Sequence, residues 1–292
     1  MQVATLIGRP GARTLVPALA DRAAAAVRAP AVYFLADGTA CDLPLPNGAA
    51  AQAREAIVAA LDGAPLDVVV QPLDQRRKRV LLADMDSTMI EQECVDELAA
   101  EAGVGDRVAL ITERAMRGEV DFAAALRERV ALLRGLSTDV LALVLRERIH
   151  AAPGARALVA TMRANGAHCA LVSGGFTAFT ASIAERLGFH EHRANELEIA
   201  GDRLTGRVRE PILGRDAKVA TLQEIVARRT LNAVDVIAVG DGANDLGMIA
   251  AAGAGVALHA KPVVAAAAPH RIDHGDLTAL LFMQGYRASD FA

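Results

Sequence analysis

Val80-Leu81-Leu82-Ala83-Asp84-Met85-Asp86-Ser87-Thr88 sets a short apolar run directly before two carboxylates and two hydroxyls. An apolar run without polar alternation reads as a parallel strand buried on both faces. In open α/β sheets, ligands bind at the carboxyl ends of the strands, and that is where Asp84 and Asp86 fall. Residues two apart on an extended chain point the same way, so both carboxylates project into one crevice. Neighbouring carboxylates repel, and a cation between them offsets the repulsion. Magnesium suits such a set of oxygen donors. Taken alone, an Asp-x-Asp pair is equally well read as a solvated turn.

Further along, three elements appear that a phosphate-handling crevice needs. Val172-Ser173-Gly174-Gly175-Phe176 follows a second apolar run, Ala170–Val172. The Ser173 hydroxyl and the free amides at the next helix start can hold phosphate oxygens. Lys218 lies near the start of a helical run and offers a fixed cation. Asp241-Gly242-Ala243-Asn244-Asp245 follows the run Val234–Val239 and adds carboxylates at another strand end. Gly255–Leu258 is one more run of the same kind. Short β-rich runs alternating with helical ones predict an α/β fold with a doubly wound parallel sheet.

Between the first and second runs lie about 85 residues without a strand signal. Cys94–Ala102, Arg107–Arg117, Phe122–Leu133 and Val140–Ile149 read there as helices, forming a cap over about 91–152. Glu196 to Val208 alternates around Gly201-Asp202 and predicts a hairpin. Upstream, the runs Val3–Ile7, Leu15–Val27, Val32–Leu35, Cys41–Leu45, Ala49–Leu61 and Leu66–Val70 give the order βαββαβ. That is the ferredoxin-like pattern, and its topology resembles small-ligand regulatory domains of the ACT type. The division expected is 1–73 for this unit, 74–79 as linker and 80–292 for the α/β domain that carries the cap. Asp74-Gln75-Arg76-Arg77-Lys78-Arg79 has no apolar member and reads as a solvated connection, with a basic partner site as the alternative.

The four-part order of Asp84, Ser173, Lys218 and Asp241 resembles the haloacid-dehalogenase-like hydrolases, from about Val80 to Ile272. The stretches DMDSTMIEQECVDELAAEAGV, ITERAMRGEVDFAAALRERVALL, VSGGF and AVGDGANDLGMI resemble, more narrowly, the phosphoserine phosphatase family. The cap stretches carry the narrower resemblance, because the other motifs serve phosphatases of many substrates. The resemblance implies hydrolysis of O-phosphoserine to serine and phosphate, the last step of serine biosynthesis, through an aspartyl phosphate. It implies Asp84 as nucleophile and Asp86 as general acid–base. Magnesium would be held by Asp84, the backbone carbonyl of Asp86, and Asp241. Ser173, Gly174 and Lys218 would grip the phosphoryl group. Asn244, on the substrate side, and Asp245 would support metal and lysine. Glu93 and Arg129 would recognise the amino-acid part, with Met116 and Phe122 shaping the pocket. Read without the family, Arg129 is a solvent-facing helix residue, Glu93 an ordinary helix-start acid, and Met116 and Phe122 core residues.

Bulk composition narrows the remaining classes. With 35 acidic and 31 basic residues the formal charge is −4, so no basic excess is present to hold a nucleic-acid backbone. There is no Trp and only two Tyr, which argues against base stacking. Cys41, Cys94 and Cys169 form no CxxC pair and read as reduced, buried thiols. The opening MQVATLIGRPGAR has no charged leader before an apolar run. The apolar stretch Leu246 to Ala260 falls short of the about 20 residues a membrane span needs. A cytoplasmic enzyme without nucleic-acid or membrane partners is expected. His190-Glu191-His192 looks like a metal pair but lacks further ligands. The sequence leaves open a phosphotransferase, a phosphatase for another small ester, or a metabolite sensor. It also leaves open a homodimer and serine as a regulatory ligand.

Overall fold

The computed structural model describes residues 1–46, 50–117 and 119–292, with the side chains of 50, 51 and 116 outside that description. The chain starts as β1 (Gln2–Gly8), α1 (Pro17–Val27), β2 (Tyr33–Ala36), β3 (Ala40–Leu45), α2 (Ala50–Leu61) and β4 (Leu66–Pro72). The expected start of α2 at Ala49 lies outside the described residues. The four strands form one antiparallel sheet in the order β2-β3-β1-β4. Strand alternation sorts its residues between two covered faces. Ala4, Leu6, Leu66 and Val68 join Ala20, Ala23 and Ile57 under the two helices. Ile7 and Val69 turn the other way, into the main core with Leu280 and Leu281.

The second sheet follows with β5 (Val80–Ala83), the cap helices α3 (Cys94–Glu101), α4 (Gly105–Met116), α5 (Phe122–Ala131) and α6 (Asp139–Glu147), then α7 (Ala155–Ala164) and β6 (His168–Phe176). Next come α8 (Thr177–Leu187), β7 (Glu191–Asn195), the hairpin β8 (Leu197–Ala200) and β9 (Arg203–Val208), and α9 (Arg215–Arg228). The chain closes with β10 (Val236–Gly240), α10 (Leu246–Ala251), β11 (Ala254–Leu258), α11 (Pro262–Ala267), β12 (His270–Ile272) and α12 (Ala279–Met283). Strand order is β12-β11-β10-β5-β6-β7, parallel throughout. Val80, Leu82, Ala170 and Ala238 pack on Leu222, Ile225 and Met248 of one helical layer. Leu81, Ala83, Leu171 and Val239 share a cluster with Leu158, Met162 and Phe179 of the other. Both faces are covered, which is why these strands carry no polar alternation. The successors of β5 lie on opposite sides of it, β6 on one and β10 on the other. The crevice so opened takes residues from the tips of all three.

Two expectations need correction. His190-Glu191-His192 runs into β7, and its ring nitrogens already have partners within the protein. The Cys169 amide donates to His190 Nδ1 at 3.0 Å, Thr180 Oγ1 lies 2.9 Å from His192 Nδ1, and the rings of His168 and His190 stack at 4.8 Å. The polar edge strands β7 and β12 gave no apolar run to read. The hexapeptide 74–79 is not a merely solvated tether. Lys78 is buried and donates to the carbonyls of Gln75 and Val234, at 3.0 and 2.8 Å. Arg76 pairs with Asp42 at 2.8 Å, and the Arg77 guanidinium lies 3.7 Å above the Tyr286 ring. Among the described residues no helix is long and apolar enough to cross a membrane.

Candidate active site

Asp84 follows β5 immediately, Ser173 lies in the last turn-ward part of β6, and Asp241 follows β10. The parallel register that pairs Ala83 with Val239 and with Leu171 brings these three tips level. Lys218 enters from the first turn of α9 and is buried, 2% exposed. Its Nζ lies 2.6 Å from Asp84 Oδ1 and 2.5 Å from Asp245 Oδ1. Asp245 is fully enclosed, and its other oxygen accepts from the Gly242 amide at 3.0 Å. A Cβ at Gly240 would stand 2.3 Å from the Asp245 carboxyl carbon, so glycine at the β10 tip makes room for that carboxylate.

Asp84, Asp241 and Asp245 each offer an oxygen, and these oxygens all lie within 4.8 Å of one another. Thr88 Oγ1 donates to Asp241 at 3.3 Å. Loss of water, then the charge of Asp84, pushes Asp241 above the usual carboxylate range. Burial pushes Asp245 up too, against the pull of Lys218. Burial works to lower the Lys218 ammonium, but Asp84 and Asp245 overcome it and raise it. Three clustered carboxylates beside one ammonium leave excess negative charge at the site. An oxygen-only donor set with that excess fits a hard divalent cation.

Asp86 stands apart from this acid cluster. Its Oδ1 accepts from the Cys94 amide at 2.8 Å and its Oδ2 from Ser173 Oγ at 2.9 Å. Burial, and to a lesser degree Asp84, raises it. Ser173 Oγ in turn accepts from the Gly175 amide at 2.8 Å. The cap then closes one side. A Cβ on Gly174 would meet the Phe122 ring at 3.0 Å, so Phe122 lies directly over the Ser173-Gly174 turn. Arg129, on α5, is half-buried and donates from Nε to the Ala125 carbonyl at 3.3 Å. Burial lowers its guanidinium, opposed by the carboxylates of Asp96, Glu93 and Asp86. Glu93, the residue before α3, accepts from Ser87 Oγ at 2.8 Å. Solvent reaches Glu93 from outside, yet the crevice wall strips water from its carboxyl, and with Asp86 pushes it up to about 7. Asn244 is half-buried in the short turn Ala243–Asp245. Met116 ends α4, and its side chain lies outside the described residues.

Asn195 had no signal in the sequence. It is buried at the end of β7 and donates to the carbonyls of Gly174 at 2.8 Å and Leu213 at 3.2 Å. The Leu213 amide donates back to its Oδ1 at 2.7 Å. One amide thereby ties the Ser173-Gly174 turn to the segment that leads into α9 and Lys218. Its buried polarity within a strand is what marks it, and burial is not visible in a sequence.

Residues 81–250 match the haloacid dehalogenase-like hydrolase family. A phosphoserine phosphatase of Archaeoglobus fulgidus is 44% identical over 233 residues, 79% of this chain and 67% of that protein. One of Streptococcus thermophilus is 46% identical over 200 residues, 68% of this chain and 93% of that protein. The solved structure of a probable phosphoserine phosphatase from Vibrio cholerae superposes with a TM-score of 0.79 at 32% identity, covering 99% of this chain and 88% of that one. The chain belongs to the haloacid dehalogenase-like hydrolases and, within them, to the phosphoserine phosphatase family.

Proposed function

We propose that the protein hydrolyses O-phospho-L-serine to L-serine and phosphate through an aspartyl phosphate on Asp84. The observation that carries this reading is Asp84 at the β5 tip, paired to a buried lysine and grouped with Asp241 and Asp245. Phosphate-monoester hydrolysis is among the slowest uncatalysed reactions, and a carboxylate nucleophile splits it into two displacements. In the first, an Asp84 oxygen bonds to phosphorus and the serine oxygen leaves, taking a proton from Asp86. In the second, water attacks the acyl phosphate and gives its proton to Asp86. The hydrogen bond from Ser173 to Asp86 holds that carboxyl beside the phosphate turn. Lys218, the Ser173 hydroxyl and the backbone at Gly174 bind the phosphoryl oxygens.

Asp84, Asp241 and the backbone carbonyl of Asp86 would hold magnesium, with Asn244 and Asp245 in support. When bound, the ion neutralises charge on the transferring group. Arg129 forks the substrate carboxylate in a bidentate pair, Glu93 accepts from its ammonium, and Phe122 bounds the pocket, a role that the family resemblance also implies for Met116. The same reading takes 1–73 as a ferredoxin-like, ACT-like domain, 74–79 as the connection, and 80–292 as a phosphatase domain with its cap at about 91–152. The strand order β2-β3-β1-β4 supports the ferredoxin-like assignment. A cytoplasmic location, a homodimer and serine as regulatory ligand complete the proposal. Phosphate release across a panel of phosphomonoesters, with and without magnesium, tests it. Clear preference for phosphoserine is expected, and equal rates on glycerol phosphate or aryl phosphates would remove the substrate assignment.

A further inference from the structure

At the end of the catalytic sheet opposite Asp84 lies a second hollow, of about 280 Å3. Arg79 precedes β5, Gly166 lies in the turn between α7 and β6, Arg228 ends α9, and Arg229 and Leu231 lie on the way to β10. Backbone bonds fix these strand starts side by side. The Arg79 amide donates to the Asp235 carbonyl at 2.8 Å, and the His168 amide donates to the Arg79 carbonyl at 2.8 Å. Five residues of strand separate Arg79 from Asp84, about 16 Å at 3.3 Å per residue. No single small anion touches both ends.

Three of the five lining residues are arginines and none is acidic, so the hollow carries one sign of charge. The carboxylates of the neighbourhood are already engaged. Glu191 answers His168, Arg193 and Arg228, and Glu224 answers the same two arginines. Asp235 turns its carboxylate to its own turn, where it accepts from the Asn232 amide at 2.9 Å. Arg79 and Arg229 are exposed and find no side-chain or carbonyl acceptor among the described residues. A cation in the last turn of a helix offsets the macrodipole, which accounts for Arg228 on α9. It does not account for Arg79, which lies on no helix. The field of the cluster reaches its surroundings. Burial first, then the charges of His168, Arg163 and Arg229, hold the His190 imidazole below its usual range. Its ring therefore stays a neutral acceptor for the Cys169 amide, at 3.0 Å.

We propose that this hollow is an anion site for a phosphate group, gripped by the guanidiniums of Arg79 and Arg229. The planar fork of arginine matches the oxygens of phosphate, and two forks from separate segments converge here. The volume lies just under the range of drug-sized ligand sites, which suits one such group, either free phosphate or the phosphate end of a larger ester. The site stands whatever reaction occurs at Asp84.

Calorimetric titration of the full chain in chelator tests this, with inorganic phosphate, phenyl phosphate and, as a carboxylate control, acetate. It is repeated on Arg79→Ala, Arg229→Ala, Arg229→Lys and the double alanine variant. The unsubstituted chain should bind one more phosphate than the double variant. Each single alanine should weaken that extra event about tenfold or more, the worth of one lost charge-assisted hydrogen bond. Arg229→Lys, which keeps the charge and loses the fork, should fall between. An extra event with inorganic phosphate alone assigns the free ion, and one with phenyl phosphate as well assigns the end of a larger ester; either upholds the site. Aryl phosphate hydrolysis with magnesium should be unchanged in every variant. Hydrolysis lost together with binding would place the missing phosphate in the active site and overturn the proposal. Equal stoichiometry in the double variant, or acetate bound as tightly as phosphate, would overturn it too. So would variants whose melting temperature drops while its rise with phosphate persists, because the arginines would then serve only the fold.

Discussion

The ammonium of Lys218 rests 2.6 Å from Oδ1 of Asp84, with both side chains almost wholly withdrawn from water. Asp245 holds the same ammonium from another direction, at 2.5 Å. Breaking a buried pair from one side leaves an uncompensated charge, which costs about 3–5 kcal/mol. Lys218→Ala should therefore destabilise the metal-free protein by that order as well as abolish turnover. Denaturant titration in chelator checks the first effect. Loss of activity at wild-type stability would show that the pair carries little of the fold.

Asn195 satisfies three backbone groups at once, on two segments, the Ser173-Gly174 turn and the approach to α9. Asn195→Ala leaves those groups unpaired and should cost about 3 kcal/mol, since each buried unsatisfied group costs about 1–3 kcal/mol. Because it holds the phosphate turn against the Lys218 segment, kcat should fall more than KM rises. A loss of stability with kcat intact would make Asn195 a packing residue alone.

Arg129 lies where the carboxylates of Asp96, Glu93 and Asp86 all act on it, on the cap helix α5 that Phe122 begins. Arg129→Ala should lower kcat/KM for phosphoserine about 10–100-fold more than for an aryl phosphate lacking a carboxylate, the worth of a charged hydrogen bond. Equal losses on both substrates would assign Arg129 to structure or chemistry.

His270 begins β12, where burial, and then the charges of Lys78 and Arg54, lower its imidazole to about 4. It stays neutral when folded, while an unfolded histidine protonates near its ordinary value of about 6.5. Below that pH the unfolded state binds the extra proton, so stability falls as pH drops from about 6.5 toward about 4. His270→Leu should flatten that part of the stability–pH curve. An unchanged curve would mean that other groups set the acid limit.

Much of this site was legible because its residues sit next to unmistakable strands. Asp84, Ser173 and Asp241 each follow an apolar run, and parallel register does the rest. The roles proposed for the cap residues rest on resemblance, since Arg129 within Arg127-Glu128-Arg129 is indistinguishable in sequence from a solvated helix face. Asn195, the Asp67 contacts and the roles of Arg76, Arg77 and Lys78 were not legible at all. The Asn195 bonds, and those that Asp67 accepts from the amides of Asp273 and Gly275, reach partners 18 to 208 positions away, brought close by packing and not by local pattern. The short polar strands β7 and β12 escaped for a related reason: edge positions need no apolar run.

The central claim is that Asp84 carries the phosphoryl group. Acid-quenching the enzyme during turnover of radiolabelled substrate, then mapping the labelled peptide, tests it directly. The account predicts an acyl-phosphate label on the peptide containing Asp84, absent together with turnover in Asp84→Asn. A label on another residue, or one that persists in Asp84→Asn, would contradict it.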